Sequence, residues 1–175
     1  MNQKPDDKLL STTLADLCIL VAEQRLGLTP LNRDGCVPLL LEAIRLNPGN
    51  KPAVQLLTNL RSLGATIEPA QWQPATLHWG QLVEQEPQNM DARLMLCELQ
   101  FLAGLNAEAV ETMRPVAEAR PELRVSLARL MLEAGMAGDG QKMLTHLIQQ
   151  CDEKLANTPG DSLVLIERAE SMLLL

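Results

Sequence analysis

Tyrosine is absent from the 175 residues, phenylalanine occurs once (Phe101) and tryptophan twice (Trp72, Trp79). Strands draw heavily on β-branched and aromatic residues, so a chain poor in rings and rich in Leu, Ala and Met reads as helical. Long apolar runs are missing as well. No stretch approaches the ~20 apolar residues of a membrane span, and no membrane insertion is expected. Positive charge is in deficit, with 15 Lys and Arg against 22 Asp and Glu, a formal charge of −7 and a pI of about 4.8. A nucleic-acid backbone would be repelled on average. Arg114, Arg120, Arg124 and Arg129 do lie close in sequence, but Glu111, Glu118, Glu122 and Glu133 are interleaved with them. That pattern describes a solvated mixed-charge face.

Four cysteines are present, Cys18, Cys36, Cys97 and Cys151, without any paired spacing such as C-x-x-C. His78 and His146 are remote from them in sequence, so neither a metal nor a cofactor is expected. Cys36 and Cys97 read as small buried hydrophobes. The first eight residues are too polar and acidic to open a signal peptide, and Leu17 before Cys18 does not suit a lipoprotein signal. The cytoplasm is the expected compartment.

The organising stretch is 87–121. Its bounding prolines, Pro87 and Pro121, stand 34 residues apart, the period of a helix–turn–helix repeat. Inside it Leu94, Leu96, Leu99 and Leu102 recur at helical spacing, Gly104 to Asn106 breaks the run, and Ala109, Val110, Met113 and Val116 resume it. Neither apolar face is large enough alone, so the pair must stack on neighbours of the same kind.

Around that pair the spacing predicts seven more helices after a loose leader, 1–10. A first, 11–26, is capped by Ser11, stopped by Gly27 and turns Leu14, Leu17, Cys18 and Val21 inward. A second, capped by Asp34, runs to 46, and a third spans 52–63. After a long connection anchored by Trp72, a fourth (74–86) buries Leu77, Trp79, Leu82 and Val83. Later helices run 121–134, 140–156 with Asp139 as cap, and 161–174 with Leu163, Ile166, Ala169 and Met172 inward. Pro115 falls inside the sixth helix and should kink it. The fold class is all-α, nine helices in antiparallel pairs forming a right-handed α-solenoid. Residues 11–158 make about four pairs, and 159–175 a C-terminal capping helix.

These positions resemble the tetratricopeptide repeat, whose pattern runs W-x2-L-G-x2-Y, then A-x3-F, then Pro. In the central pair Leu96 matches the family's Leu, Cys97 its Gly, Ala109 its Ala, Met113 its Phe and Pro121 its final Pro. Leu57, Ala75, Trp79, Leu82 and Pro87 keep the order one repeat earlier, as do Cys36, Leu40, Ala43 and Pro48 before that. Leu130 matches the Leu in the following interval, 121–159, which is 38 residues long. The family's Trp position holds Arg93, Val54 or Leu127.

Three features could carry chemistry. The run from Gly135 to Lys142 suggests a phosphate-binding loop, but Gln141 separates Lys142 from the last glycine, Met143 follows it, and a helix precedes it. A turn inside one repeat is expected instead. His78 and His146 lack a partner held by a third group, so no nucleophilic or acid–base site is expected and the chain is not read as an enzyme. The apolar end, Met172, Leu174 and Leu175, suggests self-association or a chain that continues.

The resemblance implies a concave surface lined by the first helix of each pair. Carried over, its groove positions are Gln55 and Asn59, then Asp91, Leu94, Met95, Glu98, Phe101 and Leu102, then Val125, Ala128, Arg129 and Leu132. Some family members clamp a peptide carboxylate with Lys, Asn and Arg. Only Asn59 and Arg129 resemble that clamp, while Leu94, Ala128 and Glu98 stand where Lys or Asn is needed. The resemblance therefore implies an adaptor, scaffold or chaperone-like module for a protein or peptide segment. Met95, Phe101 and Leu102 would be its apolar anchors, with Glu98, Arg129 and Asn59 orienting. The alternatives are a recognition or regulatory segment of a larger enzyme and a self-assembling scaffold using the C-terminal helix.

Overall fold

The computed structural model describes residues 5–28 and 35–175. Among the described residues the chain is all-α, nine helices and two short 3-10 turns with no strand. Among them too, no helix is long and apolar enough to cross a membrane. The chain divides into two compact units, Met1–Pro87 and Gln88–Leu175.

The first unit holds α1 (Pro5–Leu28), α2 (Val37–Leu46), α3 (Lys51–Ser62) and α4 (Gln73–Gln85), with a 3-10 turn at Pro69–Trp72 before α4. The expected leader is helical from Pro5, and α1 continues through Gly27. The Asp34 cap expected for the second helix falls within 29–34, outside the described residues.

The inward face of α1 is Ala15, Ile19 and Ala22, while Leu14 and Leu17 are exposed, contrary to the sequence reading. Two apolar stripes compete on this helix. The one with small residues wins because it permits close approach, and the Cys36 thiol donates to the Ala22 carbonyl at 3.6 Å.

Asn50 caps α3 by accepting from the Ala53 amide at 3.1 Å, and its own amide donates to Asp16 of α1 at 3.2 Å. One side chain thus ends a turn and ties two helices. Trp72 is fully buried, with Ala65 and Ile67 buried before it, so the long connection is part of this unit's core. In α4 the buried position is Ala75, and Leu77 is exposed. Trp72, Ala75 and the half-buried Trp79 and Val83 keep the 3–4 spacing of one face, which Leu77 misses.

The second unit contains α5 (Met90–Leu102), α6 (Asn106–Ala119), a 3-10 turn at Pro121–Leu123, α7 (Arg124–Glu133), α8 (Ala137–Asn157) and α9 (Ser162–Leu174). Consecutive helices pack on one another, and α7 also meets α9. Three-residue links join α5 to α6 and α7 to α8, the short connections of antiparallel neighbours. Cys97, Val110, Met113, Val116, Leu127 and Met131 lie in one core cluster, and Val125, Ala128, Leu144 and Leu147 form another. Helix α6 runs from Asn106 to Ala119 with Pro115 inside it.

A single cap closes α3, α5 and α7. Gly64, Gly104 and Gly135 take φ of 97°, 78° and 78°, the left-handed region that glycine enters without penalty. The next amide then reaches back to the third-last helical carbonyl: Ala65 to Leu60, Leu105 to Gln100 and Met136 to Met131, at 2.8–2.9 Å. Starts recur too. Asn89 caps α5 through the Ala92 amide at 2.9 Å, and Asp161 caps α9 through the amides of Leu163 and Val164.

Helix α8 begins at Ala137 without a side-chain cap, so Asp139 lies inside its first turn and is not its cap. The expected glycine-rich turn is therefore helical from Ala137. In α9 the buried residues are Val164 and Ser171, whereas Leu163, Ile166, Ala169 and Met172 are exposed. Its inner side is fixed partly by polarity, since Arg168 donates to Asp152 of α8 at 2.6 Å and Ser171 to the Glu167 carbonyl at 2.8 Å.

Candidate functional site

Helices α5 and α7 present the same template to each other. Leu94, Cys97, Glu98 and Phe101 stand at i, i+3, i+4 and i+7 on α5, and Ser126, Arg129, Leu130 and Glu133 at the same offsets on α7. Such a set forms one helical stripe. The two stripes and Met113 of α6 line an open pocket of about 410 Å³, within the ~300–1,000 Å³ of ligand sites. Leu94, Cys97, Phe101, Met113 and Leu130 supply apolar lining. Glu98, Ser126, Arg129 and Glu133 supply polar groups.

The pocket's walls are fixed by the core. Leu94, Phe101 and Leu130 are partly buried against the cluster that contains Cys97 and Met113. The Cys97 thiol donates to the Ala109 carbonyl at 3.4 Å, and burial, with the nearby Glu98 charge, pushes its pKa up to about 11. At neutral pH it is a protonated, weakly polar wall rather than a nucleophile. Arg129 and Glu133 are exposed, one turn apart.

On the other side of α7 a second pocket of about 400 Å³ is lined by Val125, Ser126, Arg129, Glu170, Leu173 and Leu174. Ser126 and Arg129 belong to both. Four helices of one unit, α5, α6, α7 and α9, thus border two adjacent depressions that share these two residues.

Of the groove positions expected from sequence, Leu94, Glu98, Phe101 and Arg129 meet in the first pocket, and Val125 joins Arg129 in the second. Met95 and Leu102, expected as anchors, are buried, only 4% and 6% exposed, and line neither pocket. Ala128 and the partly buried Leu132 also belong to the core, where α7 packs on α8. Asp91 is held at 2.8 Å by Arg120, so its charge is engaged within the unit. Gln55 and Asn59 are exposed on α3 of the first unit. Of the C-terminal residues, Met172 and Leu175 are exposed, while Leu174 packs against the Val125–Leu147 cluster.

Cys97, Met113, Ser126, Leu130, Glu133, Glu170, Leu173 and Leu174 were not expected to line the pockets. The repeated 3–4–7 offsets on α5 and α7 carried the signal for four of them. His78 and His146 are exposed, and the His146 ring meets the Gln150 amide at 3.0 Å, an ordinary i,i+4 contact. No family model matches the chain, and a search of curated proteins returns no match.

Proposed function

We propose that the chain is a tetratricopeptide-like adaptor of the cytoplasm, capturing a segment of a partner protein in the groove beside α7. The observation that carries the reading is the pair of pockets sharing Ser126 and Arg129, the first of them predominantly apolar. Two depressions separated by one helix suit a segment with two apolar side chains about 10 Å apart, the usual spacing of packed helices. Arg129, between them, is placed to hold a carbonyl or carboxylate of that segment, and the carboxylates of Glu98 and Glu133 favour basic residues beside the first anchor. Recurrence of the glycine cap after α3, α5 and α7 supports the repeat reading of the scaffold.

Selection from a displayed random-peptide library tests this. The reading expects enriched peptides with two apolar anchors flanking an acceptor, with enrichment at least tenfold weaker for Arg129→Glu. Peptides recovered equally by both proteins would contradict it.

A self-assembling scaffold is the second reading. Exposure of Leu163, Ile166, Met172 and Leu173 on α9 favours it.

A further inference from the structure

We propose that α1 carries a homodimerisation seam on which two copies of this chain pack with their α1 helices antiparallel. The inner face of α1, Ala15, Ile19 and Ala22, is spent on its own unit. The opposite face reads Leu10, Leu14, Leu17 and Val21, at intervals of four, three and four. That alternation is the a/d core pattern of paired helices. Leu9, Leu10, Leu14, Leu17 and Leu20 are between 41% and 69% exposed, and Val21 is half-buried. The seam leucines Leu10, Leu14 and Leu17 offer on the order of 300 Å² of apolar surface, within the range for a monomer's largest patch and able to form the apolar centre of an interface of ~800 Å² per partner.

The occupant is a second copy because the seam complements itself. With a two-fold axis between residues 15 and 16, Leu14 of one copy meets Leu17 of the other and Leu10 meets Val21, so the same patch serves both sides. This register also brings the start of one helix over the end of the other. The helix dipoles then oppose favourably. A parallel pair would instead align the two dipoles. From 9 to 22 the only formal charge is Asp16, whose carboxylate accepts from Asn50 of its own unit. Nothing within the seam repels a second copy.

The test is the mass of the full chain in solution at tens of micromolar, by light scattering or sedimentation. The proposal expects twice the 19.2 kDa of one chain. Leu14→Glu/Leu17→Glu should halve that mass without loss of helical circular dichroism, because both side chains are already exposed. Leu163→Glu/Leu173→Glu in α9 should leave it unchanged. A one-chain mass for the wild type overturns the proposal, as does a two-chain mass that survives the α1 change or collapses with the α9 change. Should the α1 variant lose helicity, Leu14→Cys/Leu17→Cys in a Cys18→Ser background replaces it. Oxidation should then yield a covalently paired chain, and its absence overturns the antiparallel seam.

Discussion

Gly140 of α8 lies so close to Leu132 of α7 that a Cβ there would stand 2.9 Å from Leu132 Cδ2 and 3.1 Å from the Ala128 carbonyl. What reads in sequence as part of a turn inside one repeat is a helical glycine that lets two helices touch. The carbonyl belongs to backbone and cannot swing aside. Gly140→Ala should therefore destabilise the second unit by about 1–3 kcal/mol, although alanine is intrinsically the better helix former. Gly138, two residues earlier in the same helix, meets nothing within 4 Å. Gly138→Ala should raise stability by up to ~1 kcal/mol. Denaturant unfolding of the two variants should show opposite signs.

Trp72 is the largest fully buried side chain, and its indole Nε1 has no hydrogen-bond partner among the described residues. Trp72→Ala should cost about 3–5 kcal/mol through the cavity it leaves. Trp72→Phe keeps much of the ring and removes the unsatisfied donor, which offsets part of the lost packing. It should cost less than half as much in urea unfolding followed by circular dichroism.

The existence and type of most helices were legible because apolar spacing and punctuation agreed, as at Pro87, Gly104 and Pro121. Which face turned inward was less so, and both terminal helices show why. On α1 two apolar stripes were available, and close approach at Ala15 and Ala22 decided between them. On α9 the inner face includes Ser171, satisfied by the Glu167 carbonyl, a bond that hydropathy does not register. The lining of the first pocket was legible in part. Leu94, Glu98, Phe101 and Arg129 followed from the repeat pattern, whereas Met113 reaches the pocket from the second helix of the pair. Met95 and Leu102 share α5 with the pocket lining but fall off its stripe.

Cys97 gives a pH signature. Below the ordinary thiol pKa near 9.0 it is protonated whether the chain is folded or not. Above that, the unfolded chain releases the proton while the folded chain holds it until about 11. The stabilisation is therefore complete below about pH 9 and is lost as pH rises to about 11, on the order of 2 kcal/mol in all. Unfolding free energies of wild type and Cys97→Ala should converge by roughly that amount across the window. Parallel curves would show that the thiol is not shielded. Alkylation of this cysteine should likewise stay slow at neutral pH.

The groove beside α7 is the centre of the functional reading, and methyl NMR reports on it directly. With a library-selected peptide, the Met113 methyl on the pocket floor and the methyls of Leu94, Leu130 and Leu173 should shift together and saturably. The Met172 methyl and those of Leu163, outside both pockets, should stay in place. Shifts confined to α1 or to the exposed face of α9, with Met113 unmoved, would contradict the groove as the binding site.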